Sequence, residues 1–226
     1  MDNVRRRLEA MATPEHRAFT EKIVKGRLPI LGVKSAGMQK LLKEILAGDW
    51  RAFLEASPDS VHEELVLLGW VIVSAPMPLA ERLQHLRNFV PKIDSWAVCD
   101  TVCGRLQFAA AEAEAGWEFL ASYLCRDDEF AVRFGVVGLL EAFLREPYVS
   151  RLLAAWDSVR HEGYYARMAV AWAVSIAYVN FPALVTPYLA NNHLDDWTYN
   201  KTLQKIIESR QVTEETRAAM RLRKRH

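Results

Sequence analysis

Apolar residues recur at intervals of three and four along nearly the whole chain, and no stretch alternates strictly between apolar and polar. Val4, Leu8 and Met11 make one such stripe within residues 2–12, and Leu79, Leu83, Leu86 and Val90 make another. That spacing puts side chains on one face of an α-helix, so the chain reads as helical throughout. Residues 65–73, LVLLGWVIV, are apolar on every side, which requires a helix over Val61 to Ser74 that is buried on most of its surface. Its Val and Ile content suits a strand equally, but its length and the acidic first turn at Glu63 and Glu64 favour helix.

Punctuation between the stripes supplies the boundaries. Thr13 caps a helix opened by Pro14 and ending near Gly26, with Lys22 and Lys25 in its last turn. A Gly-rich loop from Leu28 to Met38 leads into a helix capped at Ser35 and running to Gly48. A short helix covers Asp49 to Glu55, and Pro58, Asp59 and Ser60 make a break and a cap. Pro76 and Pro78 precede the helix from Leu79 to Val90. Pro91 closes that helix, and Asp94 or Ser95 caps the next, which begins at Trp96. Further helices are expected over 109–126, after a cap at Asp127 and Asp128, from Pro147, across YYARMAVAW to Pro182, which ends that segment or begins the next helix, over Asp195 to Ser209, and from Thr213 onward. Gly135 and Gly138 lie on one side of their helix, where another helix can approach closely. The basic tail from about Arg217 reads as frayed. The total is roughly twelve to fourteen helices in adjacent pairs of about forty residues. That pattern predicts an all-α fold, an α-solenoid of stacked antiparallel pairs with a concave cleft, as a single domain over 1–226. A concave face of this kind suits a large partner better than a small metabolite.

Composition narrows the chemistry. Half-hydrophobic and quarter-charged content (51% and 25%) fits a soluble globular protein, and a net charge of +1 means that nucleic-acid binding requires a localised basic face. Three cysteines without framework spacing point to a reducing compartment, and the absence of a membrane-length apolar run makes cytoplasm the plain reading. GVKSAG lacks the ending of a phosphate-binding P-loop. Cys99 and Cys103 lie one helical turn apart, but no His accompanies them at metal-ligand spacing, so they read as packing residues and no metal or other cofactor is expected. Arg5, Arg6 and Arg7 read as solvated surface.

Two features carry candidate chemistry. Trp96 and Asp100 are four residues apart and share a helix face, where an indole and a carboxylate together favour a flat cation. Arg133 and Arg167 are charges within the two most apolar helices of the second half, where a charge either snorkels to the edge or is given a partner.

These residues also carry a resemblance. Trp96 and Asp100, Arg133 in FAVRFGVV, Trp172 in YYARMAVAW and the early loop LGVKSAG resemble the HEAT-like-repeat DNA glycosylases of the AlkD type, over about residues 15 to 185. Where the family loop continues with an Arg, this chain has Met38 and Gln39, which weakens one expected phosphate contact. The stretch DDWTYNKTLQKIIESRQVT is similar to a divergent branch, and some relatives bind DNA without excising bases. The resemblance implies a HEAT-like fold and hydrolysis of the N-glycosidic bond of N3- or N7-alkylated purines in duplex DNA, by a monomer without cofactors. It implies catalytic roles for Asp100, Trp96 and Arg133, and DNA contacts by Trp172. Lys34, Lys40 and Arg167 are the further cations expected on the DNA face. The alternatives are a catalytically silent binder of damaged or branched DNA and a protein-binding helical scaffold.

Overall fold

A computed structural model describes residues 2–225 of the chain; Met1 and His226, which the single-domain expectation included, lie outside the described residues. Fourteen α-helices and no named strand occur among the described residues, and an isolated bridge joins Ala12 to Val33. The helices fall into two compact units, Met1–Gln107 and Phe108–His226. In each, helices pack on their sequence neighbours and next-but-one neighbours, the arrangement of an α-solenoid.

The first unit contains α1 (Asp2–Met11), α2 (Pro14–Ile23), α3 (Ser35–Ala47), α4 (Trp50–Ala56), α5 (His62–Ser74), α6 (Leu79–Phe89) and α7 (Trp96–Cys103). Helix α5 is its centre. Every residue from Glu63 to Val73 is buried, because α3, α4, α6 and α7 cover it. Gly69 permits the closest approach: a Cβ there would lie 2.4 Å from Val102 Cγ2 and 2.7 Å from the Phe89 ring. Around α5, α1 packs on α3, α3 on α5 and α5 on α7, a row of alternate helices.

The second unit contains α8 (Ala113–Ala121), α9 (Glu129–Phe143), α10 (Val149–Asp157), α11 (Tyr164–Asn180), α12 (Pro182–Ala190), α13 (Asp196–Glu208) and α14 (Glu214–Leu222). Here α9, α11 and α13 pack side by side, and α10 packs on α12. Helix α9 is buried continuously from Ala131 to Leu140. A Cβ on Gly135 would sit 2.9 Å from the Leu120 carbonyl oxygen, so this glycine admits α8.

Several boundaries differ from the sequence expectation. Ser35 is the first residue of α3 and Lys34 its N-cap, without a side-chain cap bond. Ser60 does not cap α5; its N–H donates to Glu64 Oε2 at 3.0 Å. Helix α2 stops at Ile23, and the Lys25 ammonium closes it by donating to the Glu21 carbonyl at 2.7 Å. Residues 109–126 are α-helical only from Ala113 to Ala121, after a 3-10 turn at Ala110–Glu112, and Pro147 lies in a 3-10 turn ahead of α10. Arg5 and Arg7 are not free surface charges: Arg5 pairs with Glu64 at 2.9 Å, and Arg7 with Glu44. The tail is held as well. Arg225 stacks 3.9 Å from the Tyr199 ring centroid and donates to the Leu194 carbonyl at 2.6 Å and to Asn192 Oδ1 at 2.9 Å. These contacts offset the entropy that would otherwise fray it.

Candidate functional site

Trp96 and Asp100 stand on α7. Ser95 accepts from the Val98 N–H and starts the helix. Val98, Cys99, Val102 and Cys103 face inward and are fully buried, which leaves Trp96, Ala97, Asp100 and Thr101 on the opposite side. Trp96 and Asp100 are each half-buried there. The Trp96 indole Nε1 donates to the carbonyl of Ile23, the last residue of α2, at 3.3 Å. The far end of α7 is tied down too: Trp70 Nε1 donates to the Thr101 carbonyl at 3.2 Å, and Arg105 lies 4.3 Å over the Trp70 ring.

Asp94 does not cap α7. It is 5% exposed, and its Oδ2 accepts the main-chain N–H groups of Arg27 at 2.6 Å and Leu28 at 2.9 Å. Glu63, 3% exposed, is likewise more than a helix-start acid. Its carboxylate accepts the N–H groups of Leu31, Gly32 and Val33 at 3.0, 2.7 and 3.2 Å. Neither bond set is visible in sequence, because the partners are at least thirty residues away. The segment so held leads into α3, where Lys34 and Lys40 are exposed. The N-terminus of α3 has no side-chain cap and no acid in its first turn, and Lys34 is its N-cap residue. A cavity of about 690 Å³ in this unit lies elsewhere, among α1, α3, α4 and Glu64 of α5, and includes none of Trp96, Asp100, Lys34 and Lys40.

In the second unit, Arg133 of α9 is only 5% exposed, and its Nη1 donates to the Tyr165 carbonyl at 3.0 Å. One turn earlier, Glu129 Oε1 accepts the Tyr165 N–H. Glu129 and Arg133 therefore bind the main-chain N–H and carbonyl of one residue, Tyr165, at the start of α11, where the N-cap Gly163 has no side chain to offer. Trp172, farther along α11, is half-buried. Arg167 lies 4.5 Å over the Trp197 ring and 3.7 Å from Asp195 Oδ1. Burial acts to raise the Asp195 pKa, but the bonds from Thr198 and the charge of Arg167 outweigh it and hold this carboxyl below its usual value. Arg167 also lines a polar cavity of about 540 Å³ with Arg160, His161 and His193.

The seven residues singled out from sequence thus divide between the units. The first holds Trp96 and Asp100 on one helix face and Lys34 and Lys40 on α3; the second holds Arg133 on α9, beside Arg167 and Trp172 on α11. Cys99 and Cys103 are buried and Cys125 is exposed. Among the described residues there is no cluster of three or more metal-ligating side chains, and no helix is long and apolar enough to cross a membrane.

A family model described as DNA alkylation repair enzyme matches residues 4–218. Comparison with curated proteins gave no match.

Proposed function

The chain belongs to the DNA alkylation repair enzyme family, and from that premise we propose that it is a DNA glycosylase acting on cationic N3- or N7-alkylated purines in duplex DNA. The observation that carries the proposal is the outward face of α7, where an indole and a carboxylate one turn apart stay half-buried while Val98, Cys99, Val102 and Cys103 are packed away on the other side.

Alkylation at N3 or N7 gives the base a positive charge and weakens its bond to C1′, so the leaving group needs little protonation. As that bond breaks, its electron pair goes to the departing base and positive charge develops on the sugar. Asp100 stabilises this charge and orients a water, whose oxygen bonds to C1′ as its proton is released. The Trp96 ring presents its electron-rich face to the same cationic sugar, and Trp172 contacts the deoxyribose and backbone around the lesion. Arg133, held by the Tyr165 carbonyl, serves a neighbouring phosphate. Lys34, Lys40 and Arg167 supply further phosphate contacts, Lys34 with the uncapped end of α3. The products are the free base and an abasic site. The protein acts as a monomer in this reading.

The test is single-turnover release of N7-methylguanine and N3-methyladenine from duplex DNA. Asp100→Asn is expected to lower release by about 10²–10³-fold, on the scale of losing one transition-state electrostatic contact, with DNA affinity retained or tightened. Trp96→Ala lowers the rate, and Arg133→Ala weakens both binding and rate. Unchanged release by folded Asp100→Asn removes the catalytic assignment. Binding without release by the wild type on either lesion replaces it with a silent DNA binder.

A further inference from the structure

Residues 27–33 lie between α2 and α3 as a strap, and seven of its main-chain polar groups are bonded to residues outside it. Asp94 accepts the N–H groups of Arg27 and Leu28, and Glu63 accepts those of Leu31, Gly32 and Val33. The Pro29 carbonyl accepts from the His62 N–H at 2.9 Å, and the Gly32 carbonyl from the Thr13 N–H at 3.0 Å. Gly32 adopts φ +93°, and a Cβ there would fall 2.5 Å from the Arg17 main-chain nitrogen, so the strap also lies tight under α2. Two buried carboxylates on five main-chain N–H groups are more than a connecting loop needs.

The two ends of the strap explain the investment. Four residues before one end, at the close of α2, the Ile23 carbonyl receives the Trp96 indole N–H, and Asp94 stands two residues before Trp96. At the other end is Lys34 with the open N-terminus of α3. We infer that Asp94 and Glu63 are positioning residues: by clamping the strap they fix the orientation of the Trp96 indole and hold Lys34 in register with it. The inference deepens the glycosylase reading and rests on it for its functional consequence. Its structural half stands independently. Asp94 acts through the strap on Trp96; Glu63 acts through the strap on Lys34.

The experiment uses the full chain with ¹⁵N-labelled tryptophan, the Trp96 indole resonance being assigned by its absence in Trp96→Phe. Asp94→Ala removes the acceptor of two strap N–H groups. Gly26→Ala perturbs the same clamp from an exposed position, because its Cβ would lie 2.8 Å from Asp94 Oδ2. Both variants are expected to shift the Trp96 indole resonance and to speed exchange of the Arg27 and Leu28 amides tenfold or more. Asp94→Ala should also slow base release about tenfold, and adding it to Trp96→Ala should slow release no further, since both changes act through one side chain. An unmoved Trp96 indole in either folded variant overturns the inference, as do multiplicative effects in the double variant. A wild type that releases no base instead removes the glycosylase reading, while the indole and amide measurements still decide whether the clamp positions Trp96.

Discussion

Replacing Glu63 tests how much of the first unit depends on a carboxylate that sequence alone assigns to a helix start. Glu63→Ala strips the acceptor from three N–H groups, two of them in fully buried hydrogen bonds. Each charge-assisted bond contributes about 1.5–3 kcal/mol, but the carboxylate's own desolvation cancels a large part of the sum. Each buried neutral donor left without its acceptor costs about 1–3 kcal/mol, and the desolvation that the carboxylate no longer suffers offsets part of this, so a loss of about 3–5 kcal/mol is expected here. In a chain of this size each kcal/mol moves the melting midpoint by roughly 2–4 °C, so a fall of roughly 6–20 °C should be seen. Glu63→Gln keeps one acceptor oxygen and turns an NH₂ group toward one of the three donors, and should cost about 1–2 kcal/mol. Urea unfolding followed by far-ultraviolet circular dichroism measures both, with the order wild type, Gln, Ala. A Glu63→Ala midpoint within about 1 kcal/mol of wild type, or a Gln variant less stable than the Ala variant, refutes the role given to this carboxylate.

Gly69→Ala should destabilise by about 1–3 kcal/mol in the same assay, because the new methyl meets Val102 and the Phe89 ring at 2.4–2.7 Å in a packed interior; a neutral substitution would mean α7 is not pressed against α5. Burial lowers the His62 pKa despite the opposing charges of Glu63 and Asp94, so the folded state favours the neutral ring. Its contribution is therefore complete above the unfolded value of about 6.5 and is lost as pH falls from there through the depressed folded value. Stability measured from pH 7.5 downward should show this acid loss, and His62→Gln should flatten it. A chromogenic disulfide reagent should modify Cys125 at once in the native protein, and Cys99 and Cys103 only on unfolding; three equally fast thiols would contradict the buried inner face of α7.

The sequence by itself determined whatever depends on near neighbours. Helix content follows from three- and four-residue periodicity, and α5 had to be central because no side of it is polar. Thr13, Ser95 and Asp128 cap the helices that follow them because the N–H groups they satisfy lie three residues ahead. Trp96 and Asp100 share the outward side of α7 because they lie four residues apart while the apolar Val98, Cys99, Val102 and Cys103 turn inward. Tertiary structure decided the long-range acceptors. Asp94 was an equally good local cap by sequence, yet its carboxylate serves residues sixty-six and sixty-seven positions away. Glu63 and Glu64 suit a helix dipole equally well whether solvated or buried, and only the fold brings the strap and Arg5 to them. Arg133 needed the start of α11, and Arg225 needed the Tyr199 ring, before either charge had a reason to be where it is. A hydrogen-bond acceptor leaves no periodic mark on the chain that holds its donor, so local pattern reveals the helices and their faces, while the groups that fasten those faces together emerge only when the chain is folded.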